Sequence, residues 1–151
     1  TVEEDPLEVA REQFCQHYDG YGHLYACAEP TPLHFPTIQM HDSVIEEIPL
    51  AIIAANRPTV LYRCLLTVLR QPGGNRRTIL VLVDGHHQEV KDLLNLLKIR
   101  FVVHDTDNEG ITFGSGGSRI SHHYRWALNT TFSLFPHTDK IIILEEDLLT
   151  A

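Results

Sequence analysis

Thr78-Ile79-Leu80-Val81-Leu82-Val83-Asp84-Gly85 is the stretch whose reading decides the fold. Its aliphatic residues run without alternation, as in a strand buried on both faces, and Asp84-Gly85 stops it with turn chemistry. Such strands belong to parallel sheets layered between helices. On the carboxyl side, Val90, Leu93, Leu94 and Leu97 recur at helical spacing, and residues 99–103 predict a further strand ending at His104-Asp105. On the amino side, Val60, Leu61, Cys64, Leu65, Val68 and Leu69 form one wide apolar stripe, closed by Pro72-Gly73-Gly74. Before that helix, Pro49-Leu50-Ala51-Ile52-Ile53-Ala54-Ala55 predicts another buried strand, ended by Asn56-Arg57-Pro58. Pro58 suits a first helical turn, where its missing N–H would have no partner anyway. Farther out, Ile120, Tyr124, Ala127, Leu128, Thr131 and Phe135 predict a helix reaching about Leu134. The segment Asp139-Lys140-Ile141-Ile142-Ile143-Leu144-Glu145-Glu146-Asp147 then predicts a last strand, also buried on both faces and ended by three acids. Alternation this regular specifies an α/β fold with a parallel sheet, right-handed crossovers and helices on both faces.

The 151 residues suffice for one core plus an appendage, and 43% hydrophobic with 21% charged residues describes an ordinary globular protein. A net charge of −8 disfavours nucleic acid and anionic membrane, both of which select for surplus Lys and Arg. No run approaches the roughly 18 apolar residues that span a bilayer, and no signal-peptide pattern opens the sequence. Ten histidines show no C-x-x-C or H-E-x-x-H zinc spacing. Cys64 falls on the apolar stripe as a small core residue, whereas Cys15 and Cys27 bracket a Gly- and Tyr-rich loop and are left open between a disulfide and free thiols.

The first 47 residues read differently. Residues 1–7 are acidic and expected to fray, residues 8–16 carry a short helical pattern around Val9 and Phe14, and Tyr18-Asp19-Gly20-Tyr21-Gly22 breaks it. Pro30, Pro32 and Pro36 predict an extended course over 28–43. The expected division is a linker strap over 1–47 and an α/β domain over 48–151.

Each strand delivers polar residues at its carboxyl end: Asn56-Arg57, Asp84, His104-Asp105, and Glu145-Glu146-Asp147. In a parallel sheet all of these emerge at one edge, where open α/β sheets bind ligands. Arg57 suits phosphate, Asp84 a base N–H, and the terminal acids a hard metal ion on a diphosphate. No Walker loop and no G-x-G-x-x-G follows the first strand, so the phosphate cradle of ATPases and dinucleotide-binding domains is missing. Two acidic groups compete for the metal, Asp105-Thr106-Asp107 and Glu145-Glu146-Asp147, and spacing alone does not choose between them. Gly114-Ser115-Gly116-Gly117 precedes a helix and reads either as an anion loop or as a flexible joint.

Four segments together, Ile52-Ile53-Ala54-Ala55-Asn56-Arg57-Pro58, Val83-Asp84-Gly85, Ser121-His122-His123-Tyr124-Arg125-Trp126-Ala127-Leu128 and Leu144-Glu145-Glu146-Asp147-Leu148, resemble the β-1,2-N-acetylglucosaminyltransferase family. The amino-terminal Phe14-Cys15, Gly20-Tyr21-Gly22, Cys27 and Pro30-Thr31-Pro32 resemble its members that act on protein O-linked mannose. The resemblance implies a Rossmann-like GT-A fold, UDP-N-acetylglucosamine (UDP-GlcNAc) as donor, Mn2+ as cofactor, a mannose-bearing glycoprotein acceptor, and inversion at the anomeric carbon. It implies that the strap over 1–47 is a stem and that 48–151 is the amino-terminal, UDP-sugar-binding half of a catalytic domain. It implies Asp147 as metal ligand, Glu145 and Glu146 on the ribose and donor sugar, Asp84 and His123 on uracil, and Arg57 with Ala55 along the nucleotide. It also favours Glu145, Glu146 and Asp147 over the Asp105 and Asp107 pair. The expected setting is the lumenal side of the Golgi membrane, reached through a segment outside this sequence. The family's catalytic base is expected beyond Ala151, so the sheet is expected to be truncated after the metal-binding strand and no catalytic residue is assigned. The rival expectations are a non-catalytic nucleotide- or glycan-binding module and an unrelated α/β nucleotide-binding domain.

Overall fold

The computed structural model of the protein describes residues 5–24, 32–33 and 47–150. Strands β1 (Leu50–Ala54), β2 (Ile79–Asp84), β3 (Arg100–His104) and β4 (Ile142–Glu145) form one parallel sheet in the order β3-β2-β1-β4. Helices α2 (Pro58–Leu69), α3 (Gln88–Leu96) and α4 (Gly116–Leu134) make the crossovers, and α1 (Pro6–His17) precedes them. The chain moves outward from β1 to β3 and then returns past β1 to place β4 on its other side. Strand order therefore reverses at β1, and the loops after β1 and β4 diverge to open a crevice.

Strand alternation divides the core between two faces. Ile52, Ala54, Ile79, Val81 and Val83 point into the larger cluster, with Leu61, Leu65, Val90, Leu93 and Leu94 from α2 and α3. Ala51, Leu80 and Leu82 face the other way, against Ala127 and Trp126 of α4. Because β2 is covered on both sides, all its residues but Asp84 are buried, which explains the unbroken aliphatic run. Cys64, fully buried, belongs to the larger cluster, as its place in the stripe predicts.

Two expectations need correction. The last strand was expected to be buried on both faces, yet Ile142 and Ile143 are 53% and 41% exposed. Among the described residues β4 pairs only with β1, and α4 lies over β1 and β2, so that only Leu144 of the strand packs against the larger cluster while Ile142 and Ile143 stay largely uncovered. An aliphatic run reports hydrophobicity, not the number of layers that cover it. The amino-terminal helix also begins earlier than its apolar pattern indicates. The Asp5 side chain accepts from the Leu7 N–H at 2.9 Å and Pro6 occupies the first turn, so the capped helix includes residues expected to fray.

This helix packs onto the domain. Phe14 and Tyr21 are buried in the larger cluster, while the Tyr18 and Tyr21 hydroxyls donate to Asp92 and Glu89 of α3, each at 2.6 Å. Cys27, whose pairing with Cys15 the sequence leaves open, and the extended course expected over 28–43, apart from residues 32–33, lie outside the described residues.

Leu65→Ala, at a fully buried position, is expected to cost about 2–5 kcal/mol in urea unfolding, whereas Ile143→Ser on the uncovered edge should stay within about 0.5 kcal/mol.

Candidate functional site

Six of the residues expected to bind donor, Ala55, Arg57, Asp84, His123, Glu145 and Glu146, line one cleft of about 240 Å³ at the carboxyl ends of β1, β2 and β4. Asp147, expected as the metal ligand, stands at its rim, joined to it through Arg57. The cleft coincides with the reversal of strand order, and α4 forms its far wall through Ile120, His123 and Tyr124. A larger cavity of about 410 Å³ lies between α1 and α3, away from these strand ends, and has none of the convergent charge of the cleft.

The three consecutive acids have three different environments. Glu146 is buried; its Oε2 accepts from the Ala55 N–H at 3.0 Å and its Oε1 from Arg57 Nε at 2.7 Å. That carboxylate ties the end of β4 to the end of β1. Glu145 accepts from the Tyr124 hydroxyl at 2.5 Å, and burial together with this bond pushes the phenol up to about 12. Asp147 is half exposed, with only its Oδ2 turned to the Arg57 guanidinium at 3.4 Å. Bonds to Glu146 and the Glu146 and Asp147 charges hold Arg57 above its ordinary value, so it stays a cation at every working pH.

Asp84 ends β2 beneath the crevice. Arg119 of α4 grips it with two bonds, Nη2 to Oδ1 at 3.0 Å and Nε to Oδ2 at 3.1 Å, and the Thr106 hydroxyl donates to Oδ1. Burial pushes the carboxyl up, but these bonds outweigh it and hold it below its ordinary value. Three of about four lone-pair positions are thus used, and one further donor fits. His123 is buried, with Nε2 on the Leu82 carbonyl at 3.2 Å and Nδ1 facing His104 Nδ1 at 3.0 Å. Both ring nitrogens are committed, so it can meet a ligand only through its ring surface. Burial holds this imidazole below its ordinary value.

The rival acidic pair is a capped turn. Asn108 Nδ2 donates to both Asp105 oxygens at 2.9 and 3.0 Å, and Asp107 is paired with Arg119 at 2.8 Å. The glycine-rich segment opens α4 through a Ser115–Ser118 capping box. Burial, then the Glu146 and Asp147 charges, push the Cys64 thiol beneath the site up to about 11, which keeps it protonated and inert as a nucleophile.

Sequence reasoning did not single out Arg119, Thr106, Tyr124 or Glu109 as site residues. Arg119 and Tyr124 lie on the same helix as His123, but their partners lie 35 and 21 positions away, so no local spacing signals the pairing.

A hard divalent ion needs carboxylate oxygens that the protein itself leaves open. Glu145 and Glu146 are engaged in protein hydrogen bonds, whereas Asp147 keeps its Oδ1 open beside a cationic rim. One carboxylate oxygen, completed by ligand phosphates and water, is an ordinary way to hold such an ion, and Asp147 fits it.

A parallel sheet with helices on both faces, cleft at the strand-order reversal and acids at the rim, defines a Rossmann-like domain of the GT-A glycosyltransferase kind. The GNT-I family model matches residues 32–151, well over half the sequence, and the chain belongs to that family of N-acetylglucosaminyltransferases. Among the described residues no helix is long and apolar enough to cross a membrane.

Glu146→Ala is expected to destabilise the protein by about 1–3 kcal/mol in denaturant unfolding, because it strands the Ala55 N–H and the Arg57 guanidinium. Asp147→Ala, at a half-exposed site, should stay within about 0.5 kcal/mol.

The Asp84 carboxyl should titrate below its ordinary 3.8 by NMR, and in Arg119→Ala its midpoint should move up, since burial persists and the largest opposing interaction is gone. The depressed folded value adds stability that is complete above about pH 4–5 and disappears as the pH falls through that value.

Proposed function

We propose that this chain provides the donor- and metal-binding part of an inverting transferase that moves N-acetylglucosamine from UDP-GlcNAc to the 2-hydroxyl of a protein-linked mannose. The observation that carries the proposal is the convergence of Arg57, Asp84, His123, Glu145 and Glu146 on one cleft, with Asp147 at its rim. Family membership supports N-acetylglucosaminyl transfer as the chemistry. The protein-linked mannose acceptor rests on the likeness of the amino-terminal segments, and the setting proposed with it is the Golgi lumen.

Arg57 is firmly cationic and half exposed at the cleft, and so offers its outer N–H groups to a diphosphate. Asp84, ionised and preset by Arg119, offers one remaining lone pair to the N–H of a uracil ring. His123 contributes a flat, neutral surface beside it. Ala55 keeps the floor narrow, and Glu145 with Tyr124 presents hydrogen-bonding groups where hydroxyl groups of the ribose or sugar would lie. Asp147 would hold Mn2+, which when bound supplies positive charge to the departing UDP phosphates. Each carboxylate lining the cleft is already hydrogen-bonded within the protein. Those bonds suit the carboxylates to positioning the donor, and the chain alone is proposed to bind donor without transferring it.

Calorimetric titration with UDP-GlcNAc is expected to show binding that requires Mn2+ and weakens at least about tenfold, or 1.4 kcal/mol, in Asp147→Ala. Folded protein that binds nothing with or without Mn2+ would overturn the donor-site reading and favour a non-catalytic module. Sugar transfer to a mannoside by the chain alone would overturn the statement that it binds donor without transferring it.

A further inference from the structure

Behind the cleft wall, a second group of side chains converges from three separate elements. His104 ends β3, Glu109 follows the 3-10 turn Thr106–Asn108, and His122 lies on α4. One ligand atom from each, the two imidazole nitrogens and a carboxylate oxygen, lies within 4.8 Å of the others. Glu109 bridges the imidazoles, with Oε1 at 2.7 Å from His104 Nε2 and Oε2 at 2.5 Å from His122 Nε2.

The hydrogen count along this chain does not close. The Leu82 carbonyl can only accept, so His123 places its N–H on Nε2 and leaves Nδ1 as a lone pair. His104 Nδ1, 3.0 Å away, must then be the donor, which leaves His104 Nε2 as a lone pair directed at a carboxylate oxygen. Three contacts need a hydrogen and two neutral imidazoles bring two. A cation is required between His104 and Glu109. A proton on His104 satisfies that contact as an imidazolium–carboxylate pair, whereas a metal ion satisfies it and also takes in His122, which faces the other carboxylate oxygen.

We propose that His104, Glu109 and His122 bind a divalent transition-metal ion of the zinc class, at a site separate from the donor cleft. Two imidazoles and one carboxylate suit zinc, whereas the lone carboxylate of Asp147, with no imidazole beside it, suits manganese or magnesium. Tetrahedral zinc with bonds of about 2.0–2.1 Å separates its ligands by about 3.3 Å, so the two carboxylate contacts need to open by less than about 1 Å and the two imidazole nitrogens, within 4.8 Å of each other, need to settle at that spacing. The neighbours that would orient the ligands are already in place. His104 is fixed in the required tautomer by His123 and lies flat against Trp126, centroids 4.3 Å apart and planes 1° apart. Metal-binding histidines are commonly held through their other nitrogen in this way. His122 and Glu109 are about one-third exposed, giving the ion a route from solvent. Bound there, it would pin the 109 loop to α4 and, through His104 and His123, brace the wall of the cleft.

The test uses Zn2+ and Co2+ with the purified chain and no nucleotide, so its result does not depend on donor binding. One equivalent of Co2+ is expected to produce intense d–d absorption bands of a low-coordinate site, which Zn2+ abolishes by displacement. Zn2+ affinity by calorimetry should fall at least tenfold in both Glu109→Gln and His122→Asn and stay unchanged in Asp147→Ala. Absence of saturable binding, or wild-type affinity in both site variants, would overturn the proposal. In that case a proton bridges His104 and Glu109, seen as N–H signals on both His104 ring nitrogens by 15N NMR.

Discussion

The arrangement of this domain depends on one buried carboxylate, that of Glu146. It closes the gap that strand-order reversal opens between β1 and β4, binding the first backbone N–H after β1 and the guanidinium of the residue two positions farther on. A buried charge is tolerated only when it is paired and hydrogen-bonded, and here Arg57 and Ala55 meet both conditions. Arg57 remains half exposed in the same interaction, so the pair is anchored at one end and available to a ligand at the other. Asp147, the next residue, inherits its place at the rim from that anchor.

A second buried-to-exposed gradient runs along the opposite wall. Asp84, at the end of β2, is held by Arg119 from α4, and the same helix sets His123 against the Leu82 carbonyl and Tyr124 against Glu145. One helix thus contacts the ends of both β2 and β4. The capping box at Ser115 starts that helix at a defined position after a polar loop, which fixes the phase of Arg119, His123 and Tyr124 together. The cleft is a product of helix phase as much as of strand order.

The chemistry of the two metal-competent places differs in kind. Asp147 offers one hard oxygen at an open rim, completed by whatever phosphates a ligand brings. The His104, Glu109 and His122 group is closed on the protein side, with its histidine orientation set by neighbours. The first suits an ion that comes and goes with a nucleotide, the second an ion that stays.

By itself the sequence determined the layered α/β class, because unbroken aliphatic runs alternating with helical stripes can be buried only by a parallel sheet between helices. It also determined that Arg57, Asp84 and the acids at 145, 146 and 147 share one edge, because parallel strands all point the same way. Tertiary structure alone decided how covered β4 is, since Ile142 and Ile143 have the composition of a core strand and the surroundings of an edge. It alone decided which acid is structural: Glu145, Glu146 and Asp147 are equivalent as letters, and their roles come from partners up to 91 positions away. The clamp of Arg119 on Asp84 and the meeting of His104, Glu109 and His122 were hidden for the same reason. Side-chain contacts between elements depend on crossover length and helix phase, and no local periodicity encodes either.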